Sequence, residues 1–348
     1  LTEAGNIYTR INNPTQDIAE QRIAALEGGT AALMLSSGQA AETFSILNIA
    51  NAGDHVVASA KVYGGTYSLL KYTLPKLGIE TTFVEDQDDL AEWEAAIRPN
   101  TKVLYGESLG NPKVSVLNIE GISEIAHRHG LPMIVDNTVA TPYLIQPLKH
   151  GADIVIHSAT KFLSGHGTVV AGVIVDGGKF KWSKSDKFPG LNTPDPSYHG
   201  IVYTKALGDD IAYIIKARVT LLRDMGPALS PFNAFLLLTG IETLPLRMQK
   251  HCENAKAIAE FLSTHKAVAA VNYSGLASSK YNALARKYAP RGAGAVFTFG
   301  LKGGYQAGVD LVANLKLFSH LANVGDTRSL IIHPASTTHS QLDDDAKT

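Results

Sequence analysis

The sequence contains a single cysteine, Cys252, and it has neither a long apolar run nor an excess of charge of one sign. One thiol cannot form an internal disulfide, four-cysteine metal sites are excluded, and no other metal motif is recognisable, so we expect no metal. Without a stretch of about 18 apolar residues or a recognisable signal peptide, we expect no transmembrane helix and a cytoplasmic protein. The formal net charge of −1 gives no reason to expect a nucleic-acid partner.

The length of 348 residues, 45% of them hydrophobic, is sufficient for a large core and two domains. The chain begins at Leu1 rather than at a methionine, and it ends at Thr348 after a polar stretch with no helix or strand pattern. We therefore expect that both ends of a longer protein are missing.

Short β-branched runs alternate with helical patterns along the first two-thirds of the chain. Strands are predicted at residues 55–59, 79–84, 102–106, 132–136, 153–158 and 169–176. Helices are predicted after a Thr15 N-cap and at residues 88–97, 118–129, 209–224 and 246–265. Because several strands are apolar on both faces, the pattern predicts a mostly parallel sheet in a three-layer α/β/α domain.

The last third predicts a smaller α/β domain. Strands are predicted at residues 268–273, 295–301 and 330–332, and a helix at 305–315. The predicted division is an arm at residues 1–13, a large domain at 14–245 and a small domain at 246–348 that is incomplete at its carboxyl end.

Asp136 and Lys161 follow two consecutive predicted strands. The carboxyl ends of parallel strands meet at one edge of a sheet, so both side chains should reach the same crevice. A lysine can form an imine with an aldehyde cofactor, and a carboxylate can keep a ring nitrogen of that cofactor protonated. Taken singly, an N-cap aspartate and a solvated lysine are the commoner explanations of the two residues, and the pair becomes informative only with its context.

Small polar residues near this pair predict a phosphate site. Ser37, Gly38 and Gln39 open a helix after an apolar run, and backbone N–H groups at a helix start bind phosphate. Ser158 and Thr160 add hydroxyl groups just before the lysine. An ordinary N-cap is the alternative explanation for the serine–glycine pair.

Three further residues fit a phosphorylated aromatic cofactor. Tyr63 starts another helix, where its ring could stack on the cofactor. Tyr8 and Arg10 lie near the start of the chain, and arginine suits a phosphate dianion. An exposed tyrosine and a solvated arginine are the alternatives.

Together these segments resemble the Cys/Met-metabolism family of pyridoxal-phosphate (PLP) enzymes, which have fold type I. The resemblance extends from Tyr8 to residue 340 and is most specific at Asp136-Asn137-Thr138 and at residues 153–167 around Lys161. It implies PLP as the cofactor.

The resemblance also implies roles for individual residues. Lys161 would bind the cofactor aldehyde and move protons, Asp136 would pair with the pyridine nitrogen, and Tyr63 would stack on the ring and assist as an acid or base. Asn111 would contact the phenolic oxygen. The implied phosphate ligands are Ser37, Gly38, Gln39, Ser158 and Thr160, with Tyr8 and Arg10 reaching across from a neighbouring subunit of a homotetramer built from two dimers. Asn323, with Tyr63, would contact the substrate.

Within the family, the chain most resembles the members that replace the acetate of O-acetyl-L-homoserine with sulfide to give L-homocysteine in methionine biosynthesis. Members that use O-succinylhomoserine, cystathionine synthases and γ-lyases are the alternatives. The family's arginine for the substrate carboxylate would follow Thr348, and Arg328 does not match it. A non-catalytic PLP-binding module is therefore a further alternative. A nicotinamide dehydrogenase is disfavoured, because the glycines at 165–172 have the wrong spacing and precede a strand.

Overall fold

The computed structural model describes residues 5–112 and 114–337. The α-helices of this part are α1 (Pro14–Glu27), α2 (Gly38–Leu47), α3 (Gly64–Ser68), α4 (Leu90–Ala95), α5 (Ile119–Arg128), α6 (Thr141–Leu144), α7 (Pro189–Asn192), α8 (Tyr203–Leu207), α9 (Ala212–Ala217), α10 (Arg223–Met225), α11 (Pro231–Glu242), α12 (Leu244–Thr264), α13 (Asn282–Tyr288) and α14 (Gly304–Asn314). Residues 1–4 of the predicted arm and 338–348 of the predicted small domain lie outside the described residues.

The strands are β1 (Ala31–Leu35), β2 (His55–Ser59), β3 (Glu80–Val84), β4 (Thr101–Glu107), β5 (Met133–Asp136), β6 (Ile154–Ser158), β7 (Gly172–Asp176), β8 (Val268–Asn272), β9 (Thr298–Leu301), β10 (Ser319–His320) and β11 (Leu330–Ile331). Within the described ranges, a seven-stranded sheet has the order β1-β7-β6-β5-β4-β2-β3. Only β7 runs antiparallel to its neighbours, so the predicted mostly parallel sheet is confirmed.

Alternate residues of each central strand belong to two different cores. Val135 and Val155 pack on one face with α1, α5 and α11, whereas Ile134 and Ile156 pack on the other with α2 and α9. Side chains of a strand alternate between faces, so a strand buried on both sides must be apolar throughout. This arrangement is the three-layer α/β/α architecture.

Several element bounds differ from the predictions, and three of the differences have a visible physical reason. Asn13, not Thr15, caps α1: its side-chain oxygen accepts the Thr15 N–H at 3.0 Å, and Pro14 supplies a preset helical φ. The strand predicted from residue 169 starts at Gly172, because Ala171 bonds to the Thr160 hydroxyl rather than to a neighbouring strand. The helix predicted at 209–224 is α9 and α10 joined by a π-type turn at Arg218–Leu222.

The carboxyl-terminal region contains two small sheets. β8 and β9 pair antiparallel, and β10 and β11 pair parallel. Pro245 lies in the first turn of α12, which follows α11 after the single residue Thr243. The domain division at residue 245 stays a prediction.

None of the helices in the described ranges has the length and apolar character that crossing a membrane requires.

Candidate active site

Three adjacent parallel strands end in polar residues at one edge of the large sheet. β4 ends at Glu107, β5 at Asp136 and β6 at Ser158, and Glu107 and Asp136 are direct partners in the ladder. Partners in a parallel ladder point to the same face. The two carboxylates therefore lie side by side at the edge where open α/β sheets bind ligands.

Asp136 is the predicted partner of the cofactor ring. Its side chain is buried, and Oδ1 accepts the Thr138 N–H at 2.8 Å. Burial raises the pKa of Asp136, while the bonds from Thr138 and the charge of His157 oppose that rise. Among the described residues, His157 is the only charged group that lowers this pKa. The carboxylate thus has a place for a cationic partner such as a protonated ring nitrogen.

A buried hydrogen bond between a histidine and a glutamate lies on the opposite face of the sheet from Ile156. His157 Nε2 lies 2.6 Å from Glu27 Oε1, and both side chains are fully buried. Asn137 Nδ2 donates to the same glutamate oxygen at 2.8 Å, while Asn137 Oδ1 accepts the Ser108 hydroxyl at 2.7 Å. This network connects α1, β6 and the ends of β4 and β5, so it fixes the backbone that carries Asp136.

Two further buried carboxylates surround Asp136, and neither was predicted to belong to the site. Burial and the charge of Asp136 raise the pKa of Glu42, on α2, to about 8. Burial and Asp136 also raise the pKa of Glu107, although the backbone N–H groups of Tyr63 and Asn111 bind it. Several carboxyl groups in one buried cluster cannot all be ionised, because their like charges repel one another. The three carboxyl groups therefore titrate as one buried cluster, in which burial raises the pKa of each member.

Lys161 lies in the turn that follows β6. Its Nζ donates to Asn323 Oδ1 at 2.8 Å, which brings together two residues that are 162 positions apart. Burial lowers the pKa of the lysine amine. A lowered pKa increases the fraction of neutral amine, the form that acts as a nucleophile or base.

The predicted phosphate residues meet where α2 begins. A Cβ added at Gly38 would lie 2.6 Å from Ser158 Cβ, so only a glycine lets the start of α2 approach the end of β6 this closely. The Ser37 hydroxyl accepts the Ala40 N–H at 3.1 Å and caps the helix. The N–H groups of Gly38 and Gln39 are those that a helix leaves without an internal partner, and they suit an anion.

Thr160 also lies beside this helix start, but its hydroxyl is already engaged. It donates to the Ala171 carbonyl oxygen and accepts the Ala171 N–H, both at 3.1 Å. The Gln39 side chain is engaged as well, because its amide nitrogen, in the orientation that satisfies both groups, donates to the Glu42 carboxylate at 2.9 Å. Phosphate contacts by these two side chains stay predictions.

Glu107 connects the two residues predicted to flank the cofactor ring. Its Oε1 accepts the Tyr63 N–H, and its carboxylate also accepts the Asn111 N–H. The Tyr63 ring is 55% exposed and lies over Gly65, where an added Cβ would be 2.5 Å from Tyr63 Cε1. Glu107 thereby fixes the backbone at both residues.

Tyr8 and Arg10 lie apart from these groups in an exposed turn. The Arg10 guanidinium is 5.2 Å from the centroid of the Tyr8 ring, and its stem approaches the position of Gly226. Arg328 does not face Lys161 either, since its guanidinium pairs with Asp326 at 3.0 Å. The described chain places neither arginine at its own lysine.

A lysine of lowered pKa in the turn after β6, a buried carboxylate at the end of β5 and a helix start that suits phosphate are the groups that a PLP site requires. The chain belongs to the Cys/Met metabolism PLP-dependent enzyme family, whose model matches residues 1–348. It is a PLP enzyme of fold type I, as predicted.

Several known proteins are similar along nearly the whole chain. The O-acetyl-L-homoserine sulfhydrylase of Leptospira meyeri is 53% identical over 350 residues, which cover 98% of this chain and 79% of that protein. The homocysteine synthase of Schizosaccharomyces pombe is 51% identical, covering 99% and 80%. The crystal structure of a putative O-acetylhomoserine (thiol)-lyase from Campylobacter jejuni, with N'-pyridoxyl-lysine-5'-monophosphate, has a TM-score of 0.94 and 44% identity, covering 99% and 82%.

Proposed function

We propose that the chain catalyses γ-replacement, in which O-acetyl-L-homoserine and sulfide give L-homocysteine and acetate in methionine biosynthesis. The proposal is carried by one observation: Asp136 ends β5, and Lys161 lies in the turn after the neighbouring parallel strand β6, with its amine held by Asn323. The similarity to sulfhydrylases along nearly the whole chain supports the choice of substrate.

When bound, PLP supplies an aldehyde that condenses with amines and a ring that accepts electrons from the substrate α-carbon. Asp136, buried at the end of β5, would pair with the ring nitrogen and favour its protonated form. Gly38, Gln39, Ser37 and Ser158 would hold the phosphate at the start of α2, with Thr160 beside them.

Lys161 would be the base that removes the substrate α-proton and then transfers a proton at the β-carbon. Its burial favours the neutral amine, and the bond to Asn323 Oδ1 keeps Nζ at a fixed position. Asn323 is also the predicted contact for the substrate carboxylate. Its amide nitrogen can donate to that carboxylate while its oxygen accepts from the lysine.

Tyr63 and Asn111 would flank the cofactor ring from the far side of the crevice. Glu107 holds the backbone of both, so their positions depend on one buried carboxyl group. The exposed Tyr63 ring would stack on the cofactor, and its hydroxyl would serve as a second acid or base near the γ-carbon.

The functional unit would be a cytoplasmic homotetramer with active sites shared between subunits. Tyr8 is 57% exposed, and α11 presents Phe232 and Phe235 at 67% and 56% exposure, as expected for an interface. Tyr8 and Arg10 would then reach the phosphate of the partner. Mixing an Arg10→Ala variant with a Lys161→Ala variant tests this. In a dimer that contains one subunit of each variant, one of the two shared sites would have both residues. Activity equal to the sum of the separate variants would contradict the sharing.

The reaction is tested with Lys161→Ala and with Lys250→Ala, an exposed lysine of α12, as the matched control. We expect the first variant to lose both the visible absorption of the bound cofactor and turnover, and the control to keep both. Assays of acetyl- and succinyl-homoserine with sulfide or cysteine distinguish the proposed reaction from those of related family members. Normal turnover by Lys161→Ala would reject the proposal.

A further inference from the structure

The turn that follows Lys161 is held by contacts from three separate elements. The turn itself is tight, with the Gly165 N–H donating to the Lys161 carbonyl oxygen at 2.8 Å. A Cβ at Gly240 of α11 would lie 2.2 Å from the Ser164 carbonyl oxygen, and a Cβ at Gly325 would lie 2.4 Å from the Phe162 nitrogen. Backbone therefore packs directly on backbone on two sides of the turn.

Arg247, from the second turn of α12, closes the third side. Its Nη1 donates to the Phe162 carbonyl oxygen at 2.7 Å, and its Nη2 donates to the carbonyl oxygens of Gly240 at 2.6 Å and Leu163 at 3.4 Å. Its Nε donates to the Thr243 hydroxyl at 3.1 Å. All four acceptors are uncharged, so the guanidinium acts as a multidentate cap of backbone oxygens rather than as half of an ion pair.

The guanidinium packs closely against Gly165. A Cβ at Gly165 would lie 2.2 Å from Arg247 Nη1, so this cation occupies the volume that any other residue at 165 would fill. The same group joins the end of α11 to the peptides directly after Lys161. A small movement of the guanidinium must therefore move the backbone that carries the lysine.

We propose that Arg247 is a positioning residue for Lys161, and that it sets the direction from which Nζ reaches the cofactor and the substrate α-carbon. This inference rests on the proposed role of Lys161. A displacement of about 1 Å in a reacting group can reduce a rate by roughly 100-fold. Removing the cap should therefore reduce kcat while KM changes little, since the guanidinium hydrogen bonds go to the turn after Lys161 and to the junction of α11 and α12.

The test uses the holoenzyme of Arg247→Met and Arg247→Lys, with Lys250→Met as a control on the exposed face of the same helix. Three experiments are made. Steady-state kinetics give kcat and KM, circular dichroism gives the visible signal per bound cofactor, and mass spectrometry detects the lysine–cofactor adduct after borohydride reduction. We expect Arg247→Met to lower kcat by roughly 100-fold, to weaken the dichroism and to slow adduct formation. The lysine variant should recover part of each, because it keeps the charge but can bind fewer of the carbonyl oxygens.

A purely structural role would predict a different result. Both Arg247 variants would then have a lower melting temperature than the wild type. Below that temperature they would retain the wild-type kcat and dichroism, and this result would overturn the proposal. Should Arg247→Met fail to fold, Arg247→Lys carries the test alone with the same two outcomes. Wild-type protein without any lysine–cofactor adduct would instead reject the proposed function, so the two failures are distinguishable.

Discussion

The strongest electrostatic prediction concerns Glu42, a carboxyl group that is 3% exposed and faces the charge of Asp136. Its pKa is raised from 4.5 to about 8 in the folded protein. Between these two values the folded chain binds a proton that the unfolded chain releases, so the free energy of unfolding must fall as pH rises through this window. The slope is about 1 kcal/mol per pH unit.

Glu42→Gln removes this titration and keeps the size of the side chain. We expect the stability of the variant, relative to wild type, to increase by about 2 kcal/mol between roughly pH 6 and pH 8. Urea unfolding of the cofactor-depleted proteins at each pH measures the difference, and Glu260→Gln, at an exposed position of α12, is the control. Wild-type and Glu42→Gln curves that run parallel across this range would refute the reasoning.

Three shorter predictions follow from other parts of the structure. Gly38→Ala should weaken cofactor affinity by about tenfold or more, because its Cβ would collide with Ser158, whereas Gly300→Ala, where no atom lies within 4 Å, should not; equal affinities in a PLP titration would contradict this. Burial raises the pKa of Cys252 to about 11, so a chromogenic disulfide should label this thiol only after unfolding; rapid labelling of the native enzyme would be the contrary result. Asn323→Ala should lower kcat by about tenfold while cofactor content stays unchanged, because the Lys161 amine loses its acceptor; unaltered kcat would show that this bond has no role in turnover.

The sequence was sufficient to predict six of the seven strands of the central sheet, all but β1, because periodicity is a local signal. Strands buried on both faces are apolar throughout, and five of the six predicted strands overlap closely with β2 to β6. The family and the cofactor were also predicted correctly, from the residues around Asp136 and Lys161. Errors arose at the ends of elements, where Asn13 and Thr15 are both acceptable caps and only the observed bond distinguishes them.

The parts of the site that were not predicted depend on contacts between distant segments. Glu42 is an ordinary acidic residue in the sequence of α2, and only the packing of α2 on the sheet places it beside Asp136. Arg247 caps a turn 85 positions earlier in the chain, which no local pattern indicates. Glu107 could have been recognised, since it ends an apolar strand four residues before Asn111. The assignments of individual site residues stay predictions until they are tested.

The antiparallel strand β7 has a consequence for how the enzyme is made. Its first residue, Gly172, lies so close to Ser37 that a Cβ there would be 1.9 Å from the Ser37 carbonyl oxygen, and β7 separates β1 from β6 in the sheet. A ribosome must therefore have released residues up to about 176 before the serine–glycine start of α2 can be fixed next to Ser158. Asn323 is synthesised later still. PLP binding is consequently a late event in the synthesis of the chain. Nascent chains that end before about residue 176 should not retain the cofactor.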